Sequence, residues 1–185
     1  MNRKNAPRGF QAGSSLLEVL VALLLLSFGM LAMGIMFSFS VQMPKMSGYR
    51  AAATNMAANH IERIRANPGG FLHNDYQLPL TYDGTSTALA LTDCSYPACT
   101  EATLATMDNG SVTSVARAML PAGGVLVTCD TTPCSSTSYG NIWIMWQEPS
   151  TRAVLDPSTS DNCPDQVVNS FTSPRPRCLY VRFRG

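Results

Sequence analysis

A single carboxylate, Glu18, lies inside an otherwise uncharged apolar stretch that runs from Leu16 to Val41. Roughly 20 apolar residues are enough to cross a bilayer, so this stretch has the length of a membrane span. A carboxylate in membrane hydrocarbon costs about 2.5–3.5 kcal/mol, and an acid at this position therefore needs a partner. The alternative is that Glu18 reaches the lipid headgroups from a place near the helix end.

The six cysteines are the second group with chemical potential, and all of them lie in the C-terminal half. An even number beyond a membrane segment indicates disulfides formed in an oxidising compartment. The spacing favours local pairs between consecutive cysteines, namely Cys94–Cys99, Cys129–Cys134 and Cys163–Cys178. A zinc site built from four thiolates is the alternative, but C-x4-C spacing without a CxxC motif or a nearby histidine is a poor zinc signature. We expect disulfides and no metal.

Composition excludes several classes of function. The chain has 185 residues, a net charge of +1 and only 14% charged residues, which does not indicate a nucleic-acid surface. The sequence contains no HExxH motif, glycine-rich phosphate loop or informative pair of carboxylates. We therefore expect a protein that is not an enzyme, holds no cofactor and acts through assembly with other proteins.

Basic residues precede the apolar stretch, at Arg3, Lys4 and Arg8. Positive charge before a membrane span holds that end in the cytoplasm, so the remainder is expected across the inner membrane. A cleaved secretory signal has an apolar core of only about 7–15 residues, which is shorter than this stretch. A plain membrane anchor fits the length but gives no reason for Glu18.

The segment GSSLLE at residues 13–18 resembles the type IV prepilin motif of a glycine, four residues and a glutamate. The resemblance implies that residues 1–13 are a leader that a prepilin peptidase/N-methyltransferase removes after Gly13. Ser14 would then be the N-methylated mature N-terminus, at a position where the family usually has Phe or Met. Glu18 would be its fifth residue, and its partner would be the terminal amine of a neighbouring subunit.

The long N-terminal helix is expected in two parts. Residues 14–43 form the transmembrane and polymerisation helix, and residues 44–67 form its amphipathic continuation, with a break or bend near Pro44. The continuation has a stripe of residues at helical spacing. These are Ala53, Ala57, His60 or Ile61, and Ile64. The sequence NPGG at 67–70 then ends the helix. His60 is interpreted as a partly covered helix residue rather than a ligand.

The head domain, residues 68–185, is expected to be α+β. It begins with an irregular connection over 71–99 and continues with a helix from Glu101 that Thr100 caps. The apolar side of this helix is assigned to Leu104, Met107, Val112, Val115, Ala116 and Met119. Asn109-Gly110 would break it, so one helix and two short helices both fit.

Strand-like runs follow at 125–129, 141–148 and 178–185, with a polar, proline-rich loop over 149–177. They predict an antiparallel sheet of three or four strands, packed on the N-terminal helix. Trp143 and Trp146 alternate to opposite faces, which favours core packing over a stacking site for sugars or bases.

This order of elements is similar to the pilin fold, and three segments most resemble PilV-type minor pilins. They are NMAANHIERIRANP, LPAGG before a strand, and IMWQE. The resemblance implies a minor pilin that initiates or caps a type IV pilus and supports twitching motility and adhesion. Its partners would be the prepilin peptidase, other minor pilins, the major pilin and a tip adhesin. It would reside in the inner membrane as a single-pass protein with a periplasmic head, and then in the pilus.

Two alternatives remain open on the sequence. One is a minor pseudopilin of a type II secretion system, which uses the same motif and fold. The other, from a different class, is a signal-anchored periplasmic binding protein or enzyme whose motif match is accidental.

Overall fold

The computed structural model describes residues 16–87, 91, 93–95, 97–148, 161–171 and 175–185, with the backbone alone at Gln42. The predicted leader and the cleavage position at Gly13 and Ser14 lie outside these residues. The chain forms two compact units, Met1–Pro44 and Lys45–Gly185. The described elements are α1 (Leu16–Ala66), α2 (Pro68–Leu72), α3 (Glu101–Met119), β1 (Gly124–Cys129), β2 (Tyr139–Trp146), α4 (Asp165–Ser170) and β3 (Arg177–Arg184).

The described part of the first unit is the apolar half of α1. Most of its large side chains are exposed, from Leu16 at 83% to Met43 at 52%. An 18-residue window of this helix has a mean hydropathy of 2.6, and none of it is buried. The helix is therefore long and apolar enough to span a membrane, as the sequence predicted.

A break at Pro44 is not found, because α1 is helical on both sides of this residue and ends at Ala66. A bend there stays a prediction. Proline removes only one backbone hydrogen bond, and α1 is 51 residues long, so the loss is small for the whole helix.

The predicted end of α1 at the NPGG sequence is correct. A short second helix, α2, begins directly after it, with Pro68 in its first turn. The Asn67 side chain caps α2 by accepting a hydrogen bond from the Gly70 amide.

In the second unit, the stripe predicted for α1 is buried. Ala53, Ala57, His60, Ile61 and Ile64 each expose 6% or less of their surface. The main core of this unit contains the four apolar residues of the stripe, together with residues of α3 and of all three strands. His60 lies beside this core. His60 is only 1% exposed, so the expectation of a partly covered histidine was wrong.

The third helix, α3, starts at Glu101 as predicted, and Thr100 and Thr103 form a reciprocal capping box. It runs through Asn109-Gly110 without a break, because Asn109 is buried and its side-chain amide donates to the Asp75 carbonyl at 3.2 Å. The apolar side predicted for α3 was only partly correct. The residues that the helix buries are Ala105, Asp108, Asn109, Val112, Thr113, Ala116 and Arg117. Val115 and Met119 are exposed.

The sheet has three antiparallel strands in the order β1-β2-β3. Ile142, Ile144 and Trp146 of β2 face the main core, together with Leu179 and Phe183 of β3. Met145 of β2 faces a smaller core on the opposite side, against Tyr82, Leu126 and Val167. The predicted alternation of faces is therefore confirmed. The segment predicted as a loop over 149–177 includes a short helix, α4, which places Val167 in that smaller core.

The architecture is α+β and pilin-like, and it contains the three local disulfides that the cysteine spacing predicted. They join Cys94 to Cys99, Cys129 to Cys134, and Cys163 to Cys178. No cysteine is left free. The zinc alternative is therefore wrong, because zinc binds thiolates and every sulfur is already covalently paired.

Candidate functional site

Glu18 lies in the first turn of the described helix and is exposed to solvent. No ion pair to its carboxylate is found among the described residues. The other predicted assembly residues, Gly13 and Ser14, lie outside the described part of the chain. The six cysteines form three separate local links and do not gather into one site.

A buried polar network joins the second half of α1 to α3. Asp108 on α3 exposes 4% of its surface and accepts two hydrogen bonds, one at each carboxylate oxygen. Arg63 donates to Oδ1 at 2.8 Å and the Tyr76 hydroxyl donates to Oδ2 at 2.8 Å. Burial, and then the hydrogen bond to Asp108, raises the pKa of Tyr76 above its ordinary value. Both oxygens of Asp108 are thus satisfied within the protein.

His60 lies beside this network without joining it. Its ring is 6.0 Å from the Tyr76 ring in an edge-on arrangement. Neither ring nitrogen makes a hydrogen bond of good geometry within the described structure, but the Asn109 side chain, whose Oδ1 is likewise without one, is close enough to interact with the ring and to oppose the lowering of its pKa. Burial lowers the pKa of His60 from 6.5 to about 4, and the Asp108 carboxylate only partly offsets that effect. The imidazole is therefore neutral at pH 7.

His60 lines a groove between α1 and α3, which we call the α1–α3 groove. Its apolar wall is formed by Met56, Val112, Val115 and Met119. Its polar end is formed by His60, Arg63 and Asp108. The groove has a volume of about 210 Å³, and Met119 in its wall is 56% exposed.

Two arginines hold the loops of the second unit in place. Arg117 on α3 is 7% exposed and donates to the Asp83 carboxylate at 2.7 Å and to the Thr81 and Thr87 carbonyls. Arg177 pairs with Glu148 at 3.0 Å and with Asp161 at 2.9 Å. Desolvation opposes the charge of Arg177, but these two carboxylates outweigh it and raise its pKa. Both arginines have internal partners, and we assign them a structural role.

An aromatic pair lies on the face of the sheet opposite the main core, beside the smaller core. The Trp143 ring stacks on Tyr180 with centroids 5.0 Å apart, and the Trp143 indole donates to the Asn162 carbonyl at 3.0 Å. Trp146 on the other face is 2% exposed. The two tryptophans therefore do not form one stacking site, in agreement with the alternation in the sequence.

Among the described residues, no group of three or more His, Cys, Asp or Glu side chains could hold a metal ion. In comparisons with known proteins, no family matches this chain, and no curated protein or solved structure is significantly similar to it.

Sequence reasoning missed the participants of the polar network. Asp108 and Tyr76 are 32 residues apart, and the contact between them depends on how α3 packs. A weak signal was present, because Asp108 lies at helical spacing between Ala105 and Val112, on the same side of α3. For His60, the signal was its place within the apolar stripe of α1.

Proposed function

We propose that this protein is a minor pilin, most like the PilV type, that helps to initiate or cap a type IV pilus. The observation that carries the proposal is the GSSLLE segment at 13–18, followed immediately by a helix whose apolar side chains are exposed. A prepilin peptidase/N-methyltransferase would cut after Gly13 and methylate Ser14. The subunit would support twitching motility and adhesion.

The apolar half of α1 supports this role because its surface requires a cover. Side chains such as Leu24, Leu31 and Met36 are 55%, 63% and 74% exposed. Before assembly, lipid would cover them. In a filament, the helices of other pilins would replace the lipid, and methionines suit this exchange because their flexible side chains pack against varied surfaces. The same helix would thus serve as an anchor first and as polymer core later.

Glu18 supports the proposal through electrostatics. Cleavage would create an amine on Ser14 with an ordinary pKa near 8, which is cationic at neutral pH. A buried carboxylate and a buried ammonium offset each other's desolvation only when they are close together. Pairing Glu18 with the terminal amine of a neighbouring subunit would therefore favour one axial position of that neighbour.

The head would give the subunit its specific contacts. Its three disulfides suit a periplasmic and then extracellular location, where thiols are oxidised. A subunit with a distinct head and the shared helix could join the first few subunits and lower the free-energy cost of nucleating the filament. Its partners would be other minor pilins, the major pilin and a tip adhesin.

Intact-mass measurement of the protein purified from the membrane tests the processing step. We expect a mature chain that starts at Ser14 and carries one N-terminal methyl group. A chain that retains residues 1–13, or one cut beyond the apolar stretch, would contradict the proposal. In that case a signal-anchored periplasmic protein is the better explanation.

Glu18→Ala tests the assembly step. We expect normal processing by mass, normal membrane level and a loss of most surface pili in a strain whose piliation depends on this protein. Glu62→Ala is the matched control, because Glu62 is an exposed glutamate on the same helix that pairs with Arg65 three residues away. Unchanged piliation by Glu18→Ala would exclude the charge-pairing role. An effect on protein secretion, with pili unaffected, would indicate a pseudopilin of type II secretion.

A further inference from the structure

The three-stranded sheet has two outer edges, and the described structure pairs only one of them. At the edge of β1, Leu78 and Val127 exchange two backbone hydrogen bonds, each of 3.1 Å. Thr81 donates to the Val125 carbonyl at 3.0 Å. At the edge of β3, no further strand lies within the described part of the chain. The strand has eight residues, Arg177–Arg184, so this open edge is about 27 Å long.

The strand register decides which backbone groups face the open edge. The Tyr139 carbonyl accepts from the Asp130 amide at 3.0 Å, on the β1 side of β2. The amide and carbonyl of one strand residue point to the same side, so Tyr139 offers neither group to Arg184, its partner in β3. The backbone groups of Arg184 therefore point away from β2. This orientation repeats at every second residue of β3, namely Cys178, Tyr180 and Arg182.

The outward backbone groups lack partners within the described structure. Those of Tyr180 and Arg182 make no hydrogen bond there, and the Arg184 carbonyl accepts a long one of 3.4 Å from Arg65 Nε. β3 contains no proline, which would remove an outward donor. A row of donors and acceptors that repeats every two residues matches the backbone of another extended strand. The edge therefore selects a strand as its partner.

The side chains beside the open edge indicate the composition of that strand. On the face of the main core, Leu179 and Val181 are only partly buried. On the opposite face, Arg182 and Arg184 are exposed. Arg182 pairs with Asp130, whereas Arg184 has no ion pair to any described residue. Directly opposite residues of neighbouring strands share a face and interact. Apolar residues opposite the aliphatic pair and acidic residues opposite the arginines would be favourable.

The charge of the edge opposes pairing with a second copy of this chain. Two β3 strands side by side would place Arg182 and Arg184 of both copies on one face, and basic residues on an edge strand discourage such self-pairing. We propose that the outer edge of β3 binds, as an added antiparallel strand, an extended segment of another protein in which apolar and acidic residues alternate. This inference concerns the head alone and does not depend on the assembly function proposed above.

Amide hydrogen exchange of the full chain in lipid nanodiscs, observed by NMR, tests the proposal. The probe is the peptide acetyl-TVEVEVT-amide, and acetyl-TVKVKVT-amide is the control that reverses only its charge. Without peptide, we expect the outward amides of Tyr180 and Arg182 to exchange faster than those of Leu179 and Val181, which face β2. The acidic peptide at ten times its dissociation constant should slow the outward amides about 10-fold. The basic peptide should bind at least about 5-fold more weakly.

Methylated peptides show whether the backbone of the probe pairs with β3. With its glutamates opposite the arginines, the glutamate amides of the probe point at β3 and the valine amides point away. N-methylation of both glutamates removes two of the proposed hydrogen bonds, and we expect it to weaken binding about 10-fold or more. N-methylation of two valines is the matched control and should leave the affinity within about 2-fold, because those amides make no bond to β3.

A charge reversal shows where the acidic residues lie. Arg184→Glu should weaken the acidic peptide about 2- to 10-fold and strengthen the basic one by a similar factor, since one cross-strand pair changes sign. Arg50→Glu makes the same change of charge at an exposed residue of α1, roughly 22 Å along the helix from Arg65, which contacts β3. It should bind both peptides as the unchanged protein does.

Several results would overturn the proposal. Slow exchange of the outward amides without peptide would show that this chain covers its own edge. Slow exchange that appears together with a dimer in sedimentation would assign the edge to a second copy. Equal affinity for the acidic and basic peptides would exclude the charge selection, and equal effects of the two methylations would exclude strand pairing.

Discussion

Leu24 and Ile64 lie on the same helix but in opposite environments. Leu24, in the first unit, is 55% exposed, and Ile64, in the second unit, is fully buried. The difference lies in what covers each half of α1. Residues 53–64 are covered by α3 and the sheet of the same chain, whereas the described part of the first unit has no such cover. One helix can thus contribute to a finished core and also present a surface that another molecule must cover.

The largest expected effect comes from removing a buried side chain in the covered half. Ile64→Ala should reduce the free energy of unfolding of the head by about 2–5 kcal/mol, because it leaves a cavity in the main core. Leu24→Ala is the control in the uncovered half and should change it by less than about 0.5 kcal/mol. Urea denaturation of the full chain in nanodiscs, followed by tryptophan fluorescence, measures both. Equal losses would show that the two halves are not distinct.

Acid should weaken the covered half through His60. The unfolded chain takes up a proton near pH 6.5, but the folded chain does so only near pH 4. Between these values the unfolded state binds more protons, so the free energy of unfolding falls as the pH falls. The loss across this window is about 3 kcal/mol. The charged or titratable groups that face the ring are Asp108, Arg63 and Tyr76.

Denaturation of the unchanged protein and of His60→Phe, between pH 7.5 and pH 4.5, checks this prediction. The variant should have a flatter pH dependence over this range. The aspartates with lowered pKa, Asp83 and Asp130, titrate below it and do not interfere. A slope that persists unchanged in His60→Phe would exclude His60 as its origin.

The smallest loss of stability is expected from removing the N-terminal cap of α3, the helix that packs on the second half of α1. Thr100 caps α3 with its hydroxyl, which accepts from the Thr103 amide at 3.2 Å. Thr100→Ala should lower the free energy of unfolding by about 1 kcal/mol. Thr106→Ala is the control within the same helix, and should be neutral or slightly stabilising because alanine is the better helix former. Calorimetry of the full chain compares the two, and equal effects would rule out the cap.

Features encoded over short distances along the chain were predictable. The apolar stretch, the end of α1 before Pro68, the cap at Thr100 and the alternation around Trp146 each depend on neighbouring residues. The short helices α2 and α4 were missed, because five or six residues carry too little periodicity to be recognised. The continuity of α3 through Gly110 was left open, since the local sequence favoured a break and the packing of Asn109 opposed it.

The sequence alone determined that one half of α1 is a membrane-length apolar surface with a carboxylate near its start, because hydrophobicity and charge are properties of the residues themselves. It also determined the local disulfides, since short separations keep the paired cysteines close. Only the tertiary structure decided that Asp108 meets Arg63 and Tyr76, and that His60 is buried beside them with its pKa lowered. Such contacts join residues far apart in the chain, and their geometry exists only after α1 and α3 have packed together.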